Sequence, residues 1–544
     1  MTKMKPELLL SLKHYSKETL IKDIVSGIIV AIIALPLSIA LALASGVSPE
    51  QGLYTAIVAG FVISALGGSK VQIAGPTAAF ATIVAGVVAK SGMDGLAVAT
   101  IIAGILLVIM GALKMGSLIR YIPATITAGF TAGIAVTIVI GQLKDFLGLT
   151  FTHSPIETME KLKEVITCLG TTNFSALIIG LISLAVLIFW PFVSKKIPSS
   201  LIAVIVAAAA VKIFHMPVNT IGDLYTISSA PPTFHLPTID FQTVFNVFPD
   251  ALTIAVLAAI ESLLSAVVAD EMIGANHDSN MELIGQGVGN AASALFGGIP
   301  ATGAIARTAA NIKNGGRTPV AGIVHAGVLF FILILLMPYA ALIPMPCIAA
   351  ILFQVAYNMS GWRSVVSTLK KAPKSDSFVL ITTFLLTVIF DLVIAICVGL
   401  VMSCFLFMKR MSDVSHFREW KYIRNEHDHE RYRHVPRHIK VYDIIGPLFF
   451  GAADKIPQIP EDEKINVLIL RMKAVPAIDS TALKGLFHFW HECDMQGIRI
   501  IFSHVNPQPM TALRKAGFVE LAGRENFVKH IDAALDLAEE LKED

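Results

Sequence analysis

Two ionisable side chains stand inside long apolar runs of this 544-residue chain. Glu261 lies in Ala258-Ala259-Ile260-Glu261-Ser262-Leu263-Leu264-Ser265, and Arg307 in Ala304-Ile305-Ala306-Arg307-Thr308. A charge at the centre of a bilayer costs at least ~2.5 kcal/mol on insertion scales, so such residues are read as functional and paired. Arg307 would supply positive potential to an anion. Glu261 would take up a coupling H⁺ or Na⁺, with Ser265 as a further polar group. A Glu261–Arg307 ion pair that locks the bundle is the competing reading, and the two are compatible.

Two short apolar stretches, 76–89 and 301–312, carry the second chemical signal. They open on Gly75-Pro76-Thr77-Ala78 and Pro300-Ala301-Thr302-Gly303, after the segments Lys70–Gly75 and Phe296–Pro300, which read as extended. Proline suits the first turn of a helix, because no N–H donor is needed there. The spacing therefore predicts half-helices that start at these prolines and point their N-termini at each other near the bilayer midplane. Such ends offer free N–H groups and about half a positive charge each, which makes an anion site mostly from backbone. The residues expected to bind are Thr77, Ala78, Ala79, Thr302, Gly303 and Ala304, with Thr77 and Thr302 in the first turns. Ser262, Ser265, Thr308 and Asn311 are further polar candidates, although any one of them alone reads equally as helix–helix glue. The plain alternative is two ordinary short helices, each bounded by a loop proline.

The elements that would hold these groups follow from composition. The chain is 55% hydrophobic and 15% charged, against roughly 25% charged for a soluble protein. This excludes a disordered chain and argues against one large soluble domain. A net charge of +2 gives no argument for nucleic acid. Charged residues make up about one in ten up to residue 412 and nearly three in ten after it. A membrane domain over 1–411, a charged linker over 412–437 and a soluble domain over 438–544 are expected.

Fourteen apolar segments are predicted, at 22–45, 51–67, 76–89, 95–113, 122–142, 174–192, 199–213, 249–269, 282–297, 301–312, 319–339, 343–359, 376–390 and 393–409. Lys and Arg concentrate in alternate loops, among them Lys195, Lys196, Arg363, Lys370 and Lys371, which places both termini in the cytoplasm. Asp270 and Glu271 read as solvated residues at an inner helix end, and Asp391 as a turn residue. Pro76 and Pro300, Pro123 and Pro344, and Asp23 and Asp250 are each separated by about 225 positions. A near-constant offset across seven spans implies a duplicated unit. An odd number of spans inverts the second copy, which is the signature of secondary transporters. The N-terminus shows no cleavable signal pattern.

Five widely spaced cysteines give neither a disulfide framework nor a zinc site, and no resident metal or cofactor is expected. His416, His427, His429, His434 and His438 are read as part of a solvated linker. The tail then alternates strand and helix. Strands are expected at 438–450, 465–471 and 498–505, and helices at 479–496, 509–516 and 527–541. Asp479-Ser480-Thr481 suits a helix cap, and no catalytic constellation is present.

Taken together, the chain resembles the sulfate permease (SulP) family of anion transporters with a C-terminal STAS domain. The resemblance rests on Gly52-Leu53-Tyr54, Gly67-Gly68-Ser69-Lys70, Gly75-Pro76-Thr77, Pro300-Ala301-Thr302-Gly303, Arg307 through Asn311, Gly316-Arg317-Thr318-Pro319 and, in the tail, Ile478-Asp479-Ser480-Thr481-Ala482-Leu483. It implies fourteen helices as 7+7 inverted repeats in core and gate domains, elevator-like movement, homodimers, and spans one, three, eight and ten around the substrate. The family's coupling carboxylate falls on Glu261 and its basic residue on Arg307. The serine phosphorylated in soluble STAS relatives falls on Ser480, for which a helix cap is the competing role. Where many sulfate carriers have Gln after the first-span proline, this chain has Leu37 and then Ser38. A serine common before the tenth-span arginine is here Ala306. Ser38 joins the substrate-binding set, and the lost polar groups shift weight from sulfate toward bicarbonate.

The expected function is secondary active transport of a small inorganic anion across the cytoplasmic membrane, coupled to H⁺ or Na⁺ and involving no enzyme chemistry. Lipid surrounds the helices, and the STAS domain offers a surface to a cytoplasmic protein. A nucleobase:cation symporter of similar fold, a dicarboxylate carrier, an anion channel and a membrane-tethered signalling protein are the alternatives.

Overall fold

The computed structural model describes residues 4–153, 155, 157–194, 197–238, 240–390, 392–419, 435–436, 438–451 and 465–541. Lys195, Lys196, Asp391, His427, His429 and His434 lie outside the described residues. The chain divides into two compact units, Met1–Leu400 and Val401–Asp544.

The first unit is helical. Ser16 starts α1 (Lys17–Ala44) by accepting the Thr19 amide on its side chain. Ser48 and Gln51 form a capping box for α2 (Pro49–Leu66), with Pro49 in the first turn. A two-residue strand, β1 (Ala74–Gly75), precedes a 3-10 turn (Ala78–Phe80) and α3 (Ala81–Ala112). Inside α3, Gly92 is non-helical at φ 67°, a conformation that only glycine adopts freely. It breaks the helix where the sequence separates 76–89 from 95–113. Then follow α4 (Ala124–Leu147), α5 (Phe174–Val193), α6 (Ser199–Phe214), α7 (Phe241–Ile273) and α8 (Ser279–Leu295). After β2 (Thr302–Gly303) come α9 (Ile305–Lys313), α10 (Val320–Ala340), α11 (Met345–Ser360), α12 (Lys374–Ile389) and α13 (Leu392–Val414).

With α3 counted as two, each of the fourteen expected segments falls on a helix. Seven helices among the described residues are long and apolar enough to cross a membrane. Large apolar side chains such as Phe189, Phe331, Leu335 and Phe405 remain exposed on them, as expected where lipid is the solvent. Two amphipathic surface helices, Thr158–Thr167 and Trp362–Lys371, were not anticipated from hydropathy.

The helices pack in two groups. In one, α3 lies against α7 and α8, α2 against α8, α10 against α1 and α2, and α9 against α7 and α1. In the other, α4 lies against α11 and α12, and α5 against α6 and α11. Each group draws on both halves of the sequence, as a duplicated unit requires when its copies interleave.

The second unit is a five-stranded sheet in the order β3 (His416–Glu419), β4 (Ile439–Ile445), β5 (Val467–Ala474), β6 (Arg499–Ser503) and β7 (Phe527–Val528). β3 runs antiparallel to β4, and the other pairs are parallel. Residues 416–419, expected as linker, instead complete the sheet edge. Helices cover both faces, so the central runs 467–470 and 500–502 are continuously apolar rather than alternating. Leu468, Leu470 and Phe502 pack with Leu486, Phe489 and Phe518 on one side. Ile439, Ile469 and Ile501 pack with Ala534, Leu535 and Ala538 on the other.

Two tail expectations change. The predicted 527–541 helix is β7 followed, after the extended His530, by a helix at Ile531–Glu540, because Phe527 pairs with Phe502 in the sheet. The Ser480–Met495 helix is capped by Asp479, whose side chain accepts the Thr481 and Ala482 amides. Ser480 is exposed in the first turn. It is not the cap.

Candidate functional site

The two proline-bearing segments do meet, but not as predicted. β1 and β2 pair antiparallel, with Ala74 opposite Gly303 and Gly75 opposite Thr302. The Ala304 amide adds a bond to the Ile73 carbonyl at 2.9 Å. Extended backbone at membrane depth must find protein partners, and here each segment supplies the other's. Pro76 and Pro300 therefore sit in extended chain rather than in a first helical turn. Thr77 is the residue before the 3-10 turn, and Thr302 lies within β2, so neither occupies a first turn.

This displacement moves the free amides. The Ala301 amide donates to Asn290 Oδ1 at 2.8 Å, and the Gly303 amide to Ser262 Oγ at 3.1 Å. The Thr302 hydroxyl shares a 2.6 Å bond with Ser262. Thr302, Gly303 and Ala304 thus hold the crossing together rather than offering amides to a guest. Helix α9 begins at Ile305 with no side-chain cap, and Thr308 is the first residue whose amide bonds back, to the Ala304 carbonyl. That leaves the Ile305, Ala306 and Arg307 amides without a partner among the described residues. The Ala78 and Ala79 amides are likewise free at the uncapped 3-10 turn. Thr77 and Ala304 are half-buried, and Ile305 and Ala306 are exposed. The start of α9 is therefore accessible, whereas Ala78 and Ala79 are buried.

Glu261 projects from the middle of α7, half-buried, and accepts a 2.9 Å hydrogen bond from the Thr77 hydroxyl. Arg307 is 2% exposed and makes no ion pair with Glu261 among the described residues. Its Nη2 instead donates to Ser38 Oγ at 3.2 Å and to the Pro76 carbonyl at 3.3 Å. A locking Glu261–Arg307 pair is thereby replaced by two separate tethers, both ending on the Pro76–Thr77 segment. Gly75 makes room for the guanidinium, since a methyl there would stand 2.3 Å from Nη1. Ser38, Thr77, Glu261 and Arg307 come from α1, the β1–α3 link, α7 and α9. With α3 counted as two, these are spans one, three, eight and ten.

The remaining polar candidates bond within the protein. Ser265 Oγ donates to Thr308 Oγ1 at 3.4 Å, and that oxygen accepts the Ile73 amide at 3.1 Å. Asn311 accepts from Ser26 and donates to the Val71 carbonyl.

Three buried ionisable residues were missed in the sequence. Glu282 in α8 is 1% exposed and accepts from the Gly68 and Ser69 amides and from the Gln72 and Gln286 side chains, at 2.8–3.1 Å. The signal was available: Glu282, Gln286 and Asn290 recur every four residues along one face of a glycine-rich helix. Asp23 is fully buried and accepts from Tyr15 and from the Arg317 and Thr318 amides. His325 is fully buried in α10. Asp270, expected to be solvated, accepts the His277 amide at 2.8 Å and faces its ring Nδ1 at 2.7 Å.

Comparison with known proteins agrees with this architecture. The pattern of the sulfate permease family matches residues 20–383, and that of the STAS domain matches residues 432–534. YvdB of Bacillus subtilis is 40% identical over 527 residues, covering 96% of this chain and 98% of YvdB. The bicarbonate transporter BicA of Picosynechococcus sp. is 31% identical, covering 80% of this chain and 79% of BicA. Among solved structures, the inward-facing murine Slc26a9 anion transporter superposes with a TM-score of 0.87 at 19% identity, covering 98% of this chain and 94% of that one. The transmembrane domain of a cyanobacterial BicA superposes with a TM-score of 0.63 at 29% identity, covering 70% and 98%. The chain belongs to the sulfate permease family of membrane transporters and carries a C-terminal STAS domain.

Proposed function

We propose that this protein is a secondary active transporter of a small inorganic anion of the sulfate or bicarbonate class. One observation carries the reading. Two uncapped helix starts, with free amides at Ala78–Ala79 and Ile305–Arg307, adjoin across the β1–β2 crossing, and the buried Arg307 guanidinium lies behind them. Oriented amides and a fixed cation favour a negative guest where water is scarce. Relatives named for bicarbonate and for sulfate, the latter including sulfate transporter 4.1 of Arabidopsis thaliana, support the substrate class.

Glu261 supplies the coupling. Its carboxylate is bonded by the hydroxyl of Thr77, the residue before Ala78, so an arriving anion meets a like charge unless H⁺ or Na⁺ neutralises it. Binding of the anion and of the cation is therefore mutually favourable. The two packed helix groups are the bodies that would slide past each other in an elevator-like cycle. We place both termini in the cytoplasm of a cytoplasmic-membrane protein that acts as a homodimer. The exposed Ser480 at a helix start would accept a phosphate favourably, giving the STAS domain a regulatory handle toward a cytoplasmic partner.

The test is uptake of labelled sulfate, bicarbonate, fumarate and uracil into proteoliposomes, with and without pH and Na⁺ gradients. Uptake of sulfate or bicarbonate that responds to one gradient is expected. Transport of uracil alone would overturn the reading.

A further inference from the structure

The surface helix Trp362–Lys371 has no buried residue. It leans on α4 and α12, yet Trp362 is 46% exposed, Val366 38% and Leu369 38%, and Val365 is half-buried. A helix this short is marginal in water by itself, and helices in proteins are held mainly by covering an apolar face. The protein leaves that face largely open, so something else has to cover it.

The residue pattern identifies the cover. Trp362, Val365, Val366 and Leu369 recur at three- and four-residue spacing, which gathers them into one stripe. Arg363 and Lys370, two turns apart, fall in one row along an edge of that stripe. Lys371 and Lys374 follow, and no acidic residue lies between positions 361 and 375. None of the four bases forms an ion pair among the described residues. Lys370 and Lys371 in the last turn suit the helix dipole, but Arg363 in the first turn opposes it. Arg363 instead lies over the Trp362 ring, 5.5 Å from its centroid. A cation and an indole at one edge suit the boundary between lipid headgroups and acyl chains. The other amphipathic surface helix, Thr158–Thr167, sets Glu160 and Glu164 against Lys161 and Lys163 and carries no net charge.

The chain fixes the level of the helix. Gly361, at φ 53°, turns the backbone out of α11, and Pro373 begins α12, so both ends are tied to apolar helices. In the orientation proposed above, that level is the cytoplasmic leaflet.

We propose that the Trp362–Lys371 helix is a binding site for anionic phospholipid. Its apolar stripe enters the headgroup boundary, Arg363 and Lys370 hold lipid phosphates, and Lys371 and Lys374 add to the attraction. A neutral apolar partner on this face would leave the edge bases unpaired, whereas lipid phosphate pairs with them. The helix belongs to the group that carries neither Glu261 nor Arg307, and the lipid anchors that group at the bilayer surface.

The test is hydrogen exchange, read by mass spectrometry, of the full-length protein in vesicles of phosphatidylcholine alone and of equal parts phosphatidylcholine and phosphatidylglycerol. Each base near an anionic surface is worth about fivefold in binding, so the two edge bases give up to ~25-fold. The amides of 362–371 are expected to exchange more slowly by up to that factor in the phosphatidylglycerol vesicles, and the difference should shrink in high salt. In Arg363→Gln/Lys370→Gln the difference should largely vanish, while Arg363→Lys/Lys370→Arg keeps it. Equal exchange of 362–371 in the two vesicles overturns the inference, and so does an undiminished difference in the glutamine pair. Slow exchange in both vesicles that depends on protein density would assign the face to a second copy and also overturn it. The wild-type comparison needs no variant to fold. It needs no transport either, so its failure is distinct from failure of the anion reading.

Discussion

Gly75→Ala isolates the role of Arg307 without touching its charge. The backbone at Gly75 belongs to β1 and is not among the positive-φ positions, so alanine fits it without strain. The added methyl would stand 2.3 Å from Nη1 and 3.5 Å from Cζ. Ordinary contact begins near 3.4 Å, so the guanidinium must retreat by about 1 Å. Its bonds to Ser38 and Pro76, at 3.2 and 3.3 Å, are already long. A retreat of that size breaks at least one of them. A hydrogen bond to a charged group is worth about 1.5–3 kcal/mol, or roughly 10–100-fold in an equilibrium or rate constant. We expect kcat/KM for sulfate or bicarbonate exchange in proteoliposomes to fall by up to about that factor, and the melting temperature in detergent to fall with it, because the same bonds hold the resting fold. Gly86→Ala in α3 is the control, because a methyl there meets nothing within 4 Å. Undiminished exchange by Gly75→Ala would refute the assignment of Arg307. So would an equal loss in the control.

Glu261→Gln should abolish gradient-driven uptake while leaving the protein folded, as judged by its elution and melting profile in detergent; full uptake under a gradient would remove Glu261 from the mechanism. Glu282→Ala strips the acceptor from four buried donors, and each donor left unsatisfied should cost about 1–3 kcal/mol, read as a lowered melting temperature or lost expression. Normal thermal stability in that variant would show that the Glu282 network is not structural. Deleting residues 438–544 should change rate or expression more than anion selectivity, measured by competition among sulfate, bicarbonate and chloride; altered selectivity would mean the tail shapes the pathway.

Much of this protein was legible from its order of residues. Apolar runs fixed where helices lie, because a helix in lipid must be long, apolar and internally hydrogen-bonded. The matching Pro76 and Pro300 segments marked the crossing, and two isolated charges marked Glu261 and Arg307. The alternation of the tail and a helix start near Asp479-Ser480-Thr481 were equally readable, since both are local, although the structure gives the cap to Asp479 rather than Ser480. Tertiary structure alone decided the partners. Pro76 and Pro300 flank a pair of two-residue strands rather than opening helices, because residues 73–75 find backbone partners in residues 302–304, more than two hundred positions away. That pairing occupies the amide of Ala304, Asn290 and Ser262 take those of Ala301 and Gly303, and the free ones shift to Ile305, Ala306 and Arg307. Likewise Arg307 bonds Ser38 and Pro76 rather than Glu261, a choice set by the space at Gly75. Hydropathy sees a single residue's cost in lipid. It does not see the Gly68, Ser69 and Gln72 donors around Glu282, because those lie on another segment of the chain.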